Sequence, residues 1–493
     1  MAVNLRKKAL SGMIWTSFQR FSKMGIGFIS GIILARLLTP FDYGCIGMLS
    51  IFMVLADSFI DCGFGSALIQ KKNPTQTDYS TIFYWNIFMA CILYTIIFLS
   101  APAIARFYKI PLLCDVLRVQ GLILFIYAFN IIQRNQLKKK MNFKLLAIVS
   151  LIATVVSLTV TIIMAYHGFG VWSLVAQNLI LSFIPSLVFW FYVRWRPKLT
   201  FSWKSFKELF SFGAYMFLTH LVNSFYSNLQ ALLIGKLYNP ATLGYYSKAV
   251  GLEKVASHSI SSVLTSITYP LYAMVQDDKP TMISMIKRLT SSISYITFPL
   301  MFILILTAKP IFVLLYSDRW LPSVPYFQVL CIVGISSCLQ AVNTQTIAAI
   351  GKSRTMFYWT LLKRGAGSSF IIIGLILYGM KGFLIGVVIY NWFCYFVNIG
   401  LVSKHIGYKW HQQLLDLYPV TVVSIVAAII SYLLVNMLNL GLYTDGIAKA
   451  FVFVMLYLAW SIIFKPSSFT YVISLIPPKY HFWKRMAKHS SNI

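Results

Sequence analysis

The sequence predicts an all-α polytopic membrane protein, and three observations predict it. Mean hydropathy is +0.75. Only 11% of the 493 residues are charged, less than half the roughly 25% of ordinary soluble domains. Apolar stretches recur at the length a spanning helix needs, about 20 residues. So few charges cannot cover a water-facing surface, which excludes a soluble globular protein. The charge is also lopsided: 42 Lys+Arg stand against 12 Asp+Glu, a formal net charge of +30. In a soluble protein that excess would point to nucleic acid. Here the polar surface is too small for a nucleic-acid groove, and basic cytoplasmic loops account for the excess.

Taken in order, fourteen candidate spans lie near 10–35, 44–69, 79–104, 112–133, 145–166, 170–193, 208–235, 243–274, 288–308, 323–350, 355–378, 383–403, 416–438 and 446–464. The first follows Arg6, Lys7 and Lys8, as a signal peptide would. It keeps Arg20 and Lys23 inside and lacks a small-residue cleavage end, so it stays in the protein as a helix. Polar residues interrupt spans 10–35, 208–235 and 243–274 more than the others. Loop charge tests the count. With the N-terminus inside, the inner segments carry 27 basic residues and the outer ones 9, with 6 more inside spans. That bias predicts both termini on the cytoplasmic side. No loop is long enough for a separate soluble domain, and the seven scattered cysteines read as packing residues.

A repeat relates two six-span halves. Residues 35–44 read ARLLTPFDYG and residues 235–244 read GKLYNPATLG. Pro40 aligns with Pro240 and Gly44 with Gly244, in a corner that breaks one helix and starts the next. Further back, Arg20, Lys23, Gly27 and Ser30 share one helical face, and their counterparts are His220, Asn223, Ser227 and Gln230. Asp57 and Asp61, one turn apart, align with Ser257 and Ser261 in a stripe that also holds Ser247, Lys254, Thr265 and Thr268. Repeats with a polar path at their interface mark transporters. The expected organisation is a six-helix bundle over 1–200, a second over 201–410, two extra helices over 411–464 and a basic cytoplasmic tail over 465–493.

The charges inside the spans carry the functional information. Arg20 lies roughly 15 Å into its helix and Asp57 roughly 20 Å into the next, both near mid-membrane. A charge there costs on the order of 3 kcal/mol unless paired or wetted. One reading makes Arg20, Lys23, His220, Asn223 and Lys254 the lining of a cavity for an anionic substrate. Asp57 and Asp61 are then the groups that couple transport to an ion gradient. The structural alternative is an Arg20–Asp57 bridge. Lys248 near a span end fits snorkelling, and Lys363 and Arg364, a few turns from a basic loop, fit snorkelling as well as they fit a functional role. No nucleophile elbow, H-E-x-x-H, Walker loop or metal-binding cluster occurs, so no enzyme chemistry, metal or cofactor is expected. Energy would come from a proton or sodium gradient, the membrane potential, downhill substrate flow or a partner.

The runs LLTPFDYGCIGM, DCGFGSALIQKK, DYSTIFYWN, HGFGVWSLVAQ, FSWKSFKELFSFG and LYNPATLGYYSKA together resemble the Wzx-type polysaccharide flippases of the multidrug/oligosaccharidyl-lipid/polysaccharide (MOP) superfamily, nearest the colanic-acid and teichuronic-acid exporters. The resemblance covers residues 1 to about 410 and implies a V-shaped pair of six-helix bundles with two further helices. It implies transport of an undecaprenyl-diphosphate-linked oligosaccharide across the bacterial cytoplasmic membrane, beside polysaccharide polymerases and glycosyltransferases, with Arg20 and Lys23 facing the diphosphate. The rivals are a drug/cation antiporter of the same superfamily, a membrane polysaccharide polymerase or ligase, and a passive scramblase or scaffold. The antiporter would favour an acidic or neutral cavity, and the polymerase a long periplasmic loop.

Overall fold

The computed structural model describes residues 2–350 and 352–474. Among these residues the chain is helical throughout its ordered elements. They are α1 (Ala2–Leu37), α2 (Pro40–Asp61), α3 (Phe64–Gln70), α4 (Gln76–Tyr108), α5 (Leu112–Gly121), α6 (Ile123–Lys139), α7 (Phe143–Tyr166) and α8 (Val171–Tyr192). There follow α9 (Trp203–Leu237), α10 (Pro240–Met274), α11 (Lys279–Leu306), α12 (Ala308–Tyr316), α13 (Ser323–Ala349), α14 (Ser353–Ile406), α15 (Trp410–Asn436), α16 (Leu442–Phe464) and α17 (Ser467–Ser474). The predicted tail beyond residue 474 lies outside the described residues.

Each predicted span falls on a helix, and the helix order is consistent with fourteen spans. The second span is α2 and α3 in series, the fourth α5 and α6. α14 holds two spans in one hairpin: at Tyr378 and Gly379 the backbone leaves helical geometry, and a Cβ on Gly382 would meet the Gly374 carbonyl at 2.0 Å. Ten helical stretches among the described residues are long and apolar enough to cross a membrane. The polar-striped α1, α9 and α10 are not among them. Large apolar side chains stay outside, as a lipid-facing surface requires: Leu99 is 72% exposed and Ile376 75%.

The chain divides into two compact units, Met1–Ser247 and Lys248–Ile493. In the first, α1 packs along α7, α7 along α8, α8 along α6, and α4 against α5 and α6. α9 lies against α2, α3 and α4. Its start is held by aromatic packing, with Phe206 4.5 Å from Trp85 and 5.5 Å from Phe64 between ring centroids. In the second unit α11 is the central helix and touches α13, α15, α16 and α17. Tyr295 of α11 donates to Ser461 of α16, and Tyr457 donates to the Tyr295 carbonyl.

The Pro–Gly corners form as the sequence predicts, and they also make a contact that the repeat alone does not reveal. Thr39 caps α2 and completes a capping box with Asp42, with Pro40 in the first turn. Asn239 caps α10 by accepting from the Thr242 amide at 2.8 Å. The two corners lie against each other. A Cβ on Gly44 would stand 1.8 Å from the Pro240 carbonyl oxygen, and one on Gly244 1.9 Å from that of Pro40. Each glycine is therefore there to admit the other corner's backbone, while the proline and its cap make the break.

Two spans differ from what the sequence predicts. The second breaks where a continuous helix is expected: Cys62 and Gly63 adopt φ of 44° and 76°, ending α2 at Asp61. The gap lets the Gly213 carbonyl approach to 2.2 Å from where a Gly63 Cβ would be. The repeat partner α10 runs on unbroken for 35 residues. The fourth span, expected to end near 133, continues as α6 to Lys139, so Arg134 and Lys138 are helical residues and not part of a loop.

Lys71, between α3 and α4, joins Asp78 at 3.1 Å and Glu208 at 3.0 Å. Burial works against its charge, but the hydrogen bonds to Glu208 and Asp78 outweigh burial and hold its pKa above the ordinary lysine value. A raised lysine stabilises fully at neutral pH and loses its contribution only as pH rises through that raised value. The Asp78 carboxylate is 2% exposed and Glu208 57%. Lys71→Met leaves a buried carboxylate without its cation and is expected to cost about 1–3 kcal/mol. Glu208→Gln removes a solvated partner and should cost under about 1 kcal/mol. Thermal unfolding of the purified variants checks the order, which equal losses would refute.

Candidate functional site

Helices α1, α2, α6 and α9 bring the first unit's charges together. Arg20 and Lys23 sit one turn apart on α1; Arg20 is exposed and Lys23 half-buried. Lys23 lies within electrostatic range of Arg134 on α6. Arg134 in turn acts on Lys138, and Lys138 on Asp61. His220 on α9 also acts on Asp61. Tyr127 of α6 stands within range of Asp57, Asp61 and Arg134 together. Asn223, half-buried, follows His220 on α9. Like charges repel, yet Arg134 stands within range of both Lys23 and Lys138, with Asp61 opposing that repulsion at Lys138 alone of the two lysines. Such an arrangement gains energy when an anion arrives between them.

The two aspartates are placed unequally. α2 is 22 residues long, about 33 Å at 1.5 Å per residue. Asp57 therefore lies some 26 Å from the Pro40 end and well past the helix middle, deeper along α2 than the mid-membrane position expected from the longer span. Asp57 buries Oδ1 without a hydrogen-bond partner. The Arg20–Asp57 bridge is not among the ion pairs of the described residues. Asp61 serves the backbone, because its Oδ1 accepts from the Gly65 amide at 3.1 Å, at the start of α3.

Lys254 belongs to the second unit, on α10, where it is exposed. Beside it Glu253 is 7% exposed, with Oε1 lacking a hydrogen-bond partner and packed 2.4 Å from where a Gly334 Cβ would be. Lys248 and Lys363 both have partners within the protein. Lys248 sits over the rings of Tyr316 and Trp320 at 4.7 and 5.5 Å. Lys363 donates to Asn398 Oδ1 at 3.0 Å.

Arg134 and Lys138 are the site residues that sequence reasoning missed. The signal was present: Gln133, Arg134, Asn135 and Gln136 interrupt an apolar run. Three of the four are buried, Gln133 completely, which places the run inside the helix packing.

Comparison with known proteins settles the family. The model of the polysaccharide biosynthesis protein family matches residues 33–325, more than half the chain. The chain belongs to that family. Among its relatives, the teichuronic acid biosynthesis protein TuaB of Bacillus subtilis is 26% identical over 72% of this chain and 74% of TuaB. The lipopolysaccharide biosynthesis protein WzxC of Escherichia coli is 23% identical over 88% of each chain. The lipid II flippase MurJ, in an inward closed conformation, superposes with a TM-score of 0.72 at 15% identity, over 92% of this chain and 98% of MurJ. An inward-facing multidrug transporter of the MATE family, in the MOP superfamily, gives 0.61 at 16% identity, over 80% of this chain and 98% of the transporter. At those identities the likeness establishes the fold: this polysaccharide biosynthesis protein is a multi-pass helical membrane protein of the MurJ and MATE type.

Proposed function

We propose that this polysaccharide biosynthesis protein is a flippase, not an enzyme. It carries an undecaprenyl-diphosphate-linked oligosaccharide from the inner to the outer leaflet of the bacterial cytoplasmic membrane by alternating access, with both termini cytoplasmic. The observation that carries the reading is the convergence of Lys23, Arg134 and Lys138 within the spans of the first unit. A diphosphate supplies more negative charge than Asp61, the acid already within range of Lys138, brings to that cluster. Arg20, His220 and Asn223 extend the polar lining of the first unit, and the sugar occupies it. Glycosyltransferases stand before the transport step and a polymerase after it. No cofactor takes part. Asp57, with a buried oxygen that accepts no hydrogen bond, is the better placed of the two aspartates to exchange a proton or sodium ion, since Asp61 commits an oxygen to Gly65. The second reading, a drug/cation antiporter, draws on the MATE-type fold and on this same pair of acids, but an organic cation would meet three like charges.

The test is translocation in vesicles reconstituted with the full chain and a lipid-linked oligosaccharide, with and without an imposed proton or sodium gradient. Acceleration by the gradient in wild type and its loss in Asp57→Asn are expected. Retained dependence in that variant removes the aspartate from the mechanism. Transport of an organic cation with no movement of the lipid-linked sugar would establish the antiporter instead.

A further inference from the structure

A second basic site borders the charge cluster at Lys138 without including it, at the end of the first unit where α4 and α7 begin and α6 and α8 finish. It is a cavity of about 960 Å³ whose lining carries Lys139, Lys140 and Arg194 and no acidic residue. That volume suits a small-molecule headgroup. The three cations are not equivalent. Lys139 commits its ammonium to the carbonyls of Leu68 and Lys71. Lys140 and Arg194 are exposed, and neither makes an ion pair among the described residues. Gln136, 7% exposed, also lines the cavity.

The walls are built and braced. Trp195 donates to Gln76 Oε1 at 2.6 Å, and Gln76 donates back to the Arg196 carbonyl at 2.7 Å. The non-helical stretch after α8 is also tied to α4: the Lys198 amide donates to Ser80 Oγ and the Ser202 amide to Thr81 Oγ1, both at 3.0 Å. Gln76 and Trp195 of the lining are therefore held in place, while Lys140 and Arg194 make no ion pair among the described residues. Its rim holds Phe191, 79% exposed, and Tyr192, 57% exposed, at the end of a spanning helix, where aromatic side chains sit among lipid headgroups.

We propose that this pocket binds a phosphate carried on a lipid, with Lys140 and Arg194 on the phosphate oxygens and the chain of the lipid leaving past Phe191 and Tyr192. Basic pockets between spanning helices take headgroups by this chemistry. The phosphate has two sources to choose between, an anionic glycerophospholipid and a polyprenyl diphosphate. The proposal stands on the pocket alone and is independent of the flippase reading.

The test uses delipidated full-length protein in neutral detergent, with retention of added lipid read by native mass spectrometry. The probes are phosphatidylglycerol, polyprenyl diphosphate, phosphatidylcholine and inorganic phosphate, against wild type, K140E/R194E and the surface control K204E/K207E. Wild type should retain one copy of a phosphate lipid, and K140E/R194E should lower that affinity at least about tenfold while the control leaves it unchanged. Preference for phosphatidylglycerol or for polyprenyl diphosphate assigns the source. Equal retention by K140E/R194E, an equal loss in the control, or equal binding of inorganic phosphate overturns the proposal. K140Q/R194Q, which adds no negative charge, serves in its place if the reversed pair fails to fold.

Discussion

Gly44→Ala is expected to be among the most damaging single-methyl changes available in this chain. The added carbon would stand 1.8 Å from the Pro240 carbonyl oxygen, 2.4 Å from its carbon and 2.8 Å from its Cα. All three are backbone atoms, so no side chain can swing aside, and the corners must separate by more than an ångström. Overpacking that side chains can absorb costs about 1–3 kcal/mol; a backbone collision belongs at or above the top of that range. Gly244→Ala strikes the same contact from the other side, 1.9 Å from the Pro40 carbonyl oxygen. Once one substitution has parted the corners the second meets open space. The double variant should therefore lose much less than the sum of the two. Gly251→Ala and Gly400→Ala, with nothing within 4 Å of the added carbon, serve as controls and should be neutral or slightly stabilising through helix propensity. Thermal unfolding and membrane yield read the result. A Gly44→Ala protein as stable as its Gly251→Ala control would refute the reciprocal contact.

That contact shows where legibility in the sequence stops. The repeat was visible as Pro40 over Pro240 and Gly44 over Gly244, because a capped proline forces a helix start whatever surrounds it. What faces each glycine is a tertiary matter that one sequence does not encode locally. Span positions were equally legible, since about 20 apolar residues identify a helix in any packing. The inner end of α6 was not. The run from Gln133 to Gln136 reads as the polar rim of a membrane helix, and only packing against α2, α3 and α8 carries it on to Lys139. The break after Asp61 was hidden for the opposite reason, because Cys62, Gly63 and Phe64 are apolar or small enough to pass within a span. These two errors bear on one site. They separate Asp61 from the helix middle and bring Arg134 and Lys138 toward it.

Arg134→Met should therefore impair transport without impairing the fold, and the combination is what makes it informative. In the protein alone Arg134 stands within range of two like charges, Lys23 and Lys138. Removing it relieves repulsion, so thermal stability should hold or rise. With a diphosphate between the cations the same side chain supplies charge-assisted hydrogen bonds, and losing one such contact costs about 1.5–3 kcal/mol. That corresponds to a fall in lipid-linked oligosaccharide transport of roughly 10- to 150-fold, where 1.4 kcal/mol is a factor of ten. Arg20→Ala and Lys23→Met should behave alike, with export of surface polysaccharide lost from cells that still insert the protein. A residue kept for structure gives the opposite pattern, a lower melting temperature with transport reduced only as far as folded protein is lost. Activity gained at the expense of stability marks a binding site built for a ligand that the protein by itself cannot replace.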